Sequence, residues 1–555
     1  MEIRKLLVAN RGEIAARVFR TCREVGIATV AVAAPDDLGA LHTRVADETV
    51  EIPNYLFSEE HIRAAKRVGA DAIHPGYGFL AENPDFAEAV EAAGLVFVGP
   101  TPEALRKGGD KLEAKRIALE AGVPILPAGE PAEVGFPLVV KATAGGGGRG
   151  MRVVRTPEEL DESLAAAKRE AKASFGDDTV FCERFVERPR HVEVQLLADE
   201  HGTVLSLGER ECSIQRRHQK VLEEAPSPAL DPDLRERMSN AAVEFGRAIG
   251  YRSAGTVEFM LDGRDFHLLE LNGRIQVEHP VTELVTGIDI VREQLRVAAG
   301  EHLDFERAPT ETLQQSVARS MGVETKGHAV EVRVYAEDPR TFLPQAGRIE
   351  RLRLPTGIRV DAGVEEGDEV GLAYDPMIAK LIAHGPTRDE ALLRLRDALA
   401  ETEVVGLTTN LPFLRWLVAH PAVRAGRTTT AFLSEYPPLS SPPARLPNGP
   451  WDGAWRLNLP SPAPHAPPDV DDAAHAATGT TGGEQSALTA PMPGTVIKVL
   501  AAPGDRVERR QTLLILEAMK METPVLSPYE AVVRAVHVAE GDRVDGGALL
   551  VELEE

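Results

Sequence analysis

The sequence predicts an α/β protein of several domains that ends in a separate all-β unit. Three observations carry this. Up to about Pro100 the chain alternates short apolar strands with amphipathic helical stretches. Residues 437–487 are rich in Pro, Ala and Gly and have no apolar periodicity. Beyond them, Gly504-Asp505-Arg506-Val507 recurs as Gly541-Asp542-Arg543-Val544, and each copy is followed by a β-rich run, so 488–555 reads as two similar β units.

Lys5 to Ala9, Glu13 to Val25 and Ala28 to Ala34 read as strand, helix and strand, the opening of a parallel sheet. This first domain spans 1–110, with His74-Pro75-Gly76-Tyr77-Gly78 as a Gly/Pro-punctuated loop at a strand end. Residues 111–326 are mixed α/β with antiparallel-looking pairs, and 327–436 carry their own strands and a helical run from Arg388 to Thr402. The segment 437–487 buries too little apolar surface to fold alone and reads as a tether that reaches on the order of 100 Å when extended. Trp451 and Trp455 interrupt its polar character.

With 43% hydrophobic and 27% charged residues, the 555-residue chain has the composition of a soluble globular enzyme. A net charge of −24 disfavours nucleic acid or an anionic membrane as partner, so anionic substrates need local cationic pockets. Cys22, Cys182 and Cys212 are too few for a disulfide framework and match no zinc spacing, which suits a reducing cytoplasm. No signal peptide is apparent, and no apolar run is long enough to span a membrane.

Lys520, in Glu517-Ala518-Met519-Lys520-Met521, lies midway between the two β units. The join between such halves falls at an exposed tight turn, where a modifying enzyme can reach a lysine and attach a cofactor.

Gly145-Gly146-Gly147-Gly148-Arg149-Gly150 formally matches a dinucleotide fingerprint, yet the following Met151-Arg152-Val153-Val154-Arg155 reads as a strand and not as a helix. What remains is a glycine hairpin whose backbone N–H groups could fold over polyphosphate, with Lys141 and Lys111 positioned to meet the phosphates.

Glu270, Asn272, Arg274, Gln276 and Glu278 alternate with mainly apolar residues, so an extended segment would put all five on one face. Upstream, Thr256 to Leu261 forms another strand, and a three-residue loop around Asp262-Gly263-Arg264 would set Glu258 opposite Glu270. Like charges so placed repel, and a divalent cation relieves the conflict; oxygen ligation by Glu258, Glu270 and Asn272 suits Mg²⁺ or Mn²⁺.

Residues 488–555 resemble the biotinyl domain of biotin-dependent carboxylases, in which the lysine between two methionines carries biotin. Lipoyl carriers share the architecture but usually show Asp-Lys-Ala at the tip. Nearly all of 3–436 resembles biotin carboxylases of the ATP-grasp class. The motifs that carry the likeness are Ala9-Asn10-Arg11-Gly12-Glu13-Ile14, the loop extending from His74 to Asn83, the glycine loop, Arg216-Arg217-His218-Gln219-Lys220 and the 270–278 segment.

The resemblance implies a Rossmann-like pre-ATP-grasp domain, an ATP-grasp domain, a mixed α/β C-terminal carboxylase domain and a flattened biotinyl barrel. It implies Glu278 as the base that deprotonates bicarbonate, Lys220 as bicarbonate ligand, Arg274, Gln276 and Val277 around bicarbonate and the ureido group, and Arg333 as the cation near the biotin enolate. His191, Gln215 and His218 match nucleotide-site positions, Glu183-Arg184-Phe185-Val186 matches the segment lining adenine, and Tyr77 approaches the biotin ring. Tyr374-Asp375-Pro376-Met377 resembles acyl-CoA carboxylases, which points to the α-subunit of such an enzyme, with a carboxyltransferase β-subunit, a biotin protein ligase and a second copy of the chain as partners.

Two departures stand out: the chain is shorter between Val123 and Phe136, beside the glycine loop, and longer between Gly300 and Gly327. Two rivals stay open on the residues alone, an ATP-grasp ligase of another kind with a lipoyl-type carrier, and a non-catalytic biotin carrier. Which acyl-CoA is used is not legible.

Overall fold

The computed structural model describes residues 2–143, 151–175, 177–216, 219–303, 325–440, 487–490, 494–508, 511–518, 521–544 and 548–554. Gly145 to Gly148, Gly150, His218, Trp451, Trp455 and Lys520 lie outside these, as does most of the expected tether.

The chain opens with five parallel strands, β1 (Lys5–Val8), β2 (Ala28–Ala33), β3 (Glu48–Glu51), β4 (Ala72–His74) and β5 (Val96–Phe97), in the order β3-β2-β1-β4-β5. The inner strands β1, β2 and β4 are mainly apolar because helices cover both faces of a doubly wound sheet, whereas the edge strand β3, Glu-Thr-Val-Glu, buries only Val50. The loops after β1 and β4 meet at its carboxyl edge. Asn10 donates to the carbonyls of Pro75 (2.8 Å) and Tyr77 (2.7 Å). Gly76 sits at φ +64°, and a Cβ there would stand 2.7 Å from the Asn10 amide, so only glycine closes this corner.

Next comes a small antiparallel sheet of β6 (Ala128–Gly129), β7 (Leu138–Ala142), β8 (Arg152–Val154) and β9 (Val180–Arg184), ordered β6-β9-β7-β8. Leu138 pairs with Val154, so the glycine run is bracketed by the two strands of a hairpin. The shortened stretch beside it carries β6 and a one-turn helix, Pro131–Val134.

The functional scaffold is an eight-stranded sheet. It contains β10 (Arg190–Ala198), β11 (Val204–Arg216), β12 (Gln219–Ala225), β13 (Ser253–Asp262), β14 (Asp265–Asn272), β15 (His328–Tyr335) and the strands Met377–Gly385 and Arg359–Ala362, ordered β14-β13-β10-β11-β12-β15 and then those two. It therefore runs through both segments that the sequence separates at 326. Alternation gives it two unlike faces. Val192, Val194, Val257, Phe259 and Leu268 bury one face against the helices Lys111–Glu120 and Pro232–Ile249. Each such side chain contributes roughly 1.5–3 kcal/mol. The other face carries His191, Glu193, Gln195, Glu258 and Glu270.

Two expectations are corrected here. The β13–β14 turn has two residues, Gly263 and Arg264, between the paired Asp262 and Asp265. Such a turn alone would set Glu258 against Leu269. A bulge at Leu269 shifts the register by one, and Glu258 does face Glu270. The extended segment also stops early. β14 ends at Asn272, Gly273 donates its N–H to Glu82 (2.9 Å), and 274–278 bend through a turn into the helix His279–Thr286. Arg274, Gln276 and Glu278 thus reach the polar side from a loop.

The C-terminal unit is two four-stranded sheets. One is ordered Ala487–Thr489, Leu549–Glu554, Ala531–Val536, Arg506–Val507, and the other Met521–Leu526, Thr512–Ala518, Gly494–Val499, Arg543–Val544. Their likeness extends to single bonds. Gly504 donates to Val533 O (2.8 Å) and Gly541 to Val496 O (2.7 Å), at φ +95° and +94°. Asp505 and Asp542 accept from the N–H of Ala502 and Ala539, each at 2.8 Å. Ala518 pairs with Met521, leaving Met519 and Lys520 as the two positions between the strands.

Candidate active site

Three glutamates stand side by side across three strands. Glu193 pairs with Glu258, and Glu258 with Glu270. Neighbouring strands are about 4.8 Å apart, so three ionised carboxylates in such a row repel strongly unless cations intervene.

The cations cluster at one end. Arg210, fully buried, donates to Glu193 (2.5 Å), Gln195 (2.7 Å), Thr256 (3.0 Å), Gln276 (2.9 Å) and Thr282 (2.9 Å). Lys220 bonds Glu193, Glu258 (2.9 Å) and Glu278 (2.6 Å). Burial alone would raise Glu193 and Glu258, but Lys220, with Arg210 and His191 respectively, holds both below the usual carboxylate range. His191 lies 3.2 Å from Glu258; burial opposes its charge, yet Glu258 and Glu193 lift it to about 9.

At the other end Glu270 forms no ion pair among the described residues. Burial raises Glu270 and Glu258 raises it further, opposed by Lys111 and, less, by Lys141. The Nδ2 of Asn272 is buried without a partner among the described residues, while its Oδ1 accepts from Arg274 (2.9 Å). The two opposed carboxylates, with the Asn272 amide oxygen that Arg274 now occupies, form an oxygen-rich corner that fits a hard divalent cation.

Beside this corner lies a lysine cluster. Glu183, fully buried on β9, receives Lys115 and Lys141 on its two oxygens. Lys111, at the first turn of its helix, is pushed down by burial and by Lys141 while Glu270 pulls it up. Lys111 and Lys141 are thus close enough for their charges to interact, and Glu183, which the resemblance places in the segment lining adenine, pairs with Lys141 and Lys115 through its carboxylate. Phe185 and Val186 are half-buried just past β9 and Arg184 is exposed; Met151 precedes β8. Gln215 donates to Cys212 O (3.0 Å).

At the far side Glu278 accepts from Lys220 and, at 3.0 Å, from Arg333. Burial would raise Glu278, but Lys220 and Arg333 hold it low. Arg333 also lies 2.5 Å from Glu223, which burial raises to about 7. Glu223 pairs directly with Glu331, raised well above the usual range by burial and by Glu223. Arg274 ion-pairs with Glu82 (3.0 Å), Gln276 donates to Glu258 (3.0 Å), and the Tyr77 hydroxyl donates to Glu13. Glu193, Lys220, Glu258, Gln276, Glu278 and Arg333 are therefore joined in one hydrogen-bonded network.

Sequence reasoning missed Lys115, Glu193, Arg210, Glu223 and Lys380. For Glu193 a signal existed: His191, Glu193 and Gln195 alternate with Val192, Val194 and Leu196 as 270–278 do.

The chain matches four family models: "Biotin carboxylase, N-terminal domain" over 2–105, "Carbamoyl-phosphate synthase L chain, ATP binding domain" over 110–306, "Biotin carboxylase C-terminal domain" over 331–435, and "Biotin-requiring enzyme" over 486–553. A biotin carboxylase of Halalkalibacterium halodurans is 46% identical over 78% of this chain and 98% of its own. The mitochondrial methylcrotonoyl-CoA carboxylase subunit alpha of Oryza sativa subsp. japonica is also 46% identical over 78% of this chain, and the match spans 60% of that longer relative. Among solved structures, the biotin carboxylase domain dimer of Hydrogenobacter thermophilus 2-oxoglutarate carboxylase, in complex with MgADP, ADP and bicarbonate, superposes with a TM-score of 0.73 at 42% identity, over 79% of this chain and 98% of that one. With an ATP-grasp fold, a carboxylate corner suited to a divalent cation, and a carrier of the biotin-requiring type, the chain belongs to the biotin carboxylases, ATP-dependent ligases of the biotin-dependent carboxylase family.

Proposed function

We propose that this chain carboxylates biotin attached to its own Lys520, using ATP and bicarbonate, as the α-subunit of an acyl-CoA carboxylase whose carboxyltransferase is a separate subunit. The observation that carries the reading is Glu278 held between Lys220 at 2.6 Å and Arg333 at 3.0 Å. An ionised carboxylate flanked by two fixed cations is built to take a proton from a small anion that those cations hold.

Glu278 accepts the bicarbonate proton while Lys220 binds the anion. Lys111 and Lys141 meet the polyphosphate as the γ-phosphoryl group passes to bicarbonate, giving carboxyphosphate. Mg²⁺ or Mn²⁺ held by Glu258, Glu270 and Asn272 would neutralise charge on the phosphoryl oxygens. Carboxyphosphate then splits into carbon dioxide and phosphate, the phosphate takes up the ureido N–H proton, and bound biotin would supply the ureido nitrogen that is carboxylated. Arg333 and Arg274 offset the negative charge that develops beside it, and Gln276 and Val277 bound the space. Lys141 releases Glu183 when phosphate arrives, which leaves Lys115 to keep that carboxylate paired.

The carboxyltransferase partner is supported by the name of the Oryza relative, and pairing of two copies by the dimeric Hydrogenobacter domain. Three unpaired, buried cysteines suit a reducing compartment such as the cytoplasm. No helix among the described residues is long and apolar enough to cross a membrane.

The test is direct. After co-expression with a biotin protein ligase, the Lys520 peptide gains the mass of one biotinyl group. The purified chain then hydrolyses ATP only with bicarbonate and biotin present, and Glu278→Gln loses about 100-fold or more. Hydrolysis that ignores bicarbonate, or an unmodified Lys520, would sink the reading. Transfer to acetyl-, propionyl- or methylcrotonyl-CoA, or to a 2-oxo acid, by a co-purified partner identifies the acceptor.

A further inference from the structure

We infer that Lys380 is a positioning residue that sets the turn on which Glu278 sits and couples it to Tyr77. Lys380, on the strand Met377–Gly385, is fully buried. Its ammonium donates to the backbone carbonyl of Val277 at 2.9 Å, one residue before Glu278. It also lies 3.1 Å from the carboxylate of Glu13 and 3.9 Å from Asp361. The other oxygen of Glu13 accepts the Tyr77 hydroxyl.

Two distant stretches of chain thus meet on one ammonium, the first helix through Glu13 and the loop 273–278 through Val277, and the β4 loop joins them through the bond from Tyr77 to Glu13. Lys380 pairs directly with Arg333 across the two strands, so both side chains rise from one face. Arg333 grips the Glu278 carboxylate, and Lys380 grips the backbone behind it. A carbonyl one residue from a catalytic carboxylate fixes the ψ of that turn, and a shift of about 1 Å at a base costs on the order of 100-fold in rate. The loop has left its strand at Asn272, so no ladder bond does this work. A lysine carries a compact charge able to serve a carbonyl and a carboxylate together, and burial so complete is rarely spent on an unpaired role.

The inference rests on Glu278 being the base, as proposed above. Its test compares Lys380→Gln, Glu13→Gln and the double variant, which removes both charges and leaves neither stranded, in the full-length biotinylated protein. The measurements are kcat and KM for ATP and bicarbonate, ADP affinity by calorimetry, and Tm. Lys380→Gln and the double variant should lose about 30-fold or more in kcat, with KM for ATP and ADP affinity within about 3-fold. Glu13→Gln alone should lose less than about 5-fold, because the Val277 bond survives.

A double variant with wild-type kcat overturns the inference. So does a loss confined to KM for ATP, and so do Lys380 variants too unstable to purify, which would make the residue a support of the fold alone. If Glu278→Gln itself keeps full activity, the parent reading fails instead, and the two failures are told apart.

Discussion

Lys220 and Glu278 stand 58 positions apart in sequence and 2.6 Å apart in space, and the same ammonium reaches Glu193 and Glu258. One cation therefore sets the protonation of three carboxylates.

Replacing Lys220 by Gln removes the main charge that holds Glu278 low. Burial then dominates and the Glu278 pKa rises. A base must be ionised to act, so the acidic limb of the kcat/KM profile for bicarbonate should move to higher pH, and kcat should fall about 100-fold. An unmoved limb would detach Glu278 from the proton transfer.

Glu270→Gln separates metal binding from stability. With the carboxylate gone, the Mg²⁺ concentration for half-maximal ATP hydrolysis should rise about 10-fold or more, as expected for a lost ligand. In metal-free buffer the same variant should be more stable by about 0.5–1 kcal/mol in urea, since a directly opposed like charge is removed. The Glu270 pKa is raised, so its effect on metal-free stability is absent at low pH and grows unfavourable as pH rises through the folded value. The variant should flatten that decline.

Glu223 obeys the same sign. Its carboxyl, lifted to about 7 by burial, favours the folded state while protonated. That contribution is complete below 4.5 and lost as pH rises through about 7. Urea melts from pH 5 to 8 should show wild type losing stability over this window, and Glu223→Gln losing less.

Lys115→Met should cost on the order of 3 kcal/mol, because Glu183 is left buried with Lys141 alone. Adding Glu183→Gln should recover part of it. Equal stability of the single and double variants would show the pair to be independent.

Lys520→Arg divides carrier from active site. The variant should take up no biotin and transfer nothing to an acceptor, yet its ATP hydrolysis with free biotin should stay within about 2-fold of wild type. A matching loss of both activities would place Lys520 within the reaction itself.

Much of this was legible from residues. The β-α-β opening, the hairpin flanking the glycine run and the doubled carrier all follow from local patterns that tertiary contacts did not override. Glu258 opposite Glu270 was foreseen for the wrong reason, because turn length and bulge are interchangeable ways of shifting a register and the sequence marks neither. The alternation that continues to Glu278 outlasts the strand, since Glu82, from another domain, captures the Gly273 N–H. Arg210 and Lys380 were invisible because their partners are assembled by strand order, which no local pattern encodes.

Arg210 also limits how this protein can diverge. Its guanidinium joins β10, β13, the 273–278 loop and the following helix, so altering any one of its acceptors strands a buried N–H at roughly 1–3 kcal/mol. The floor of the site is therefore closed to gradual change. A substitution at Glu193, Gln195, Thr256, Gln276 or Thr282 is tolerated only with a compensating acceptor for the same guanidinium.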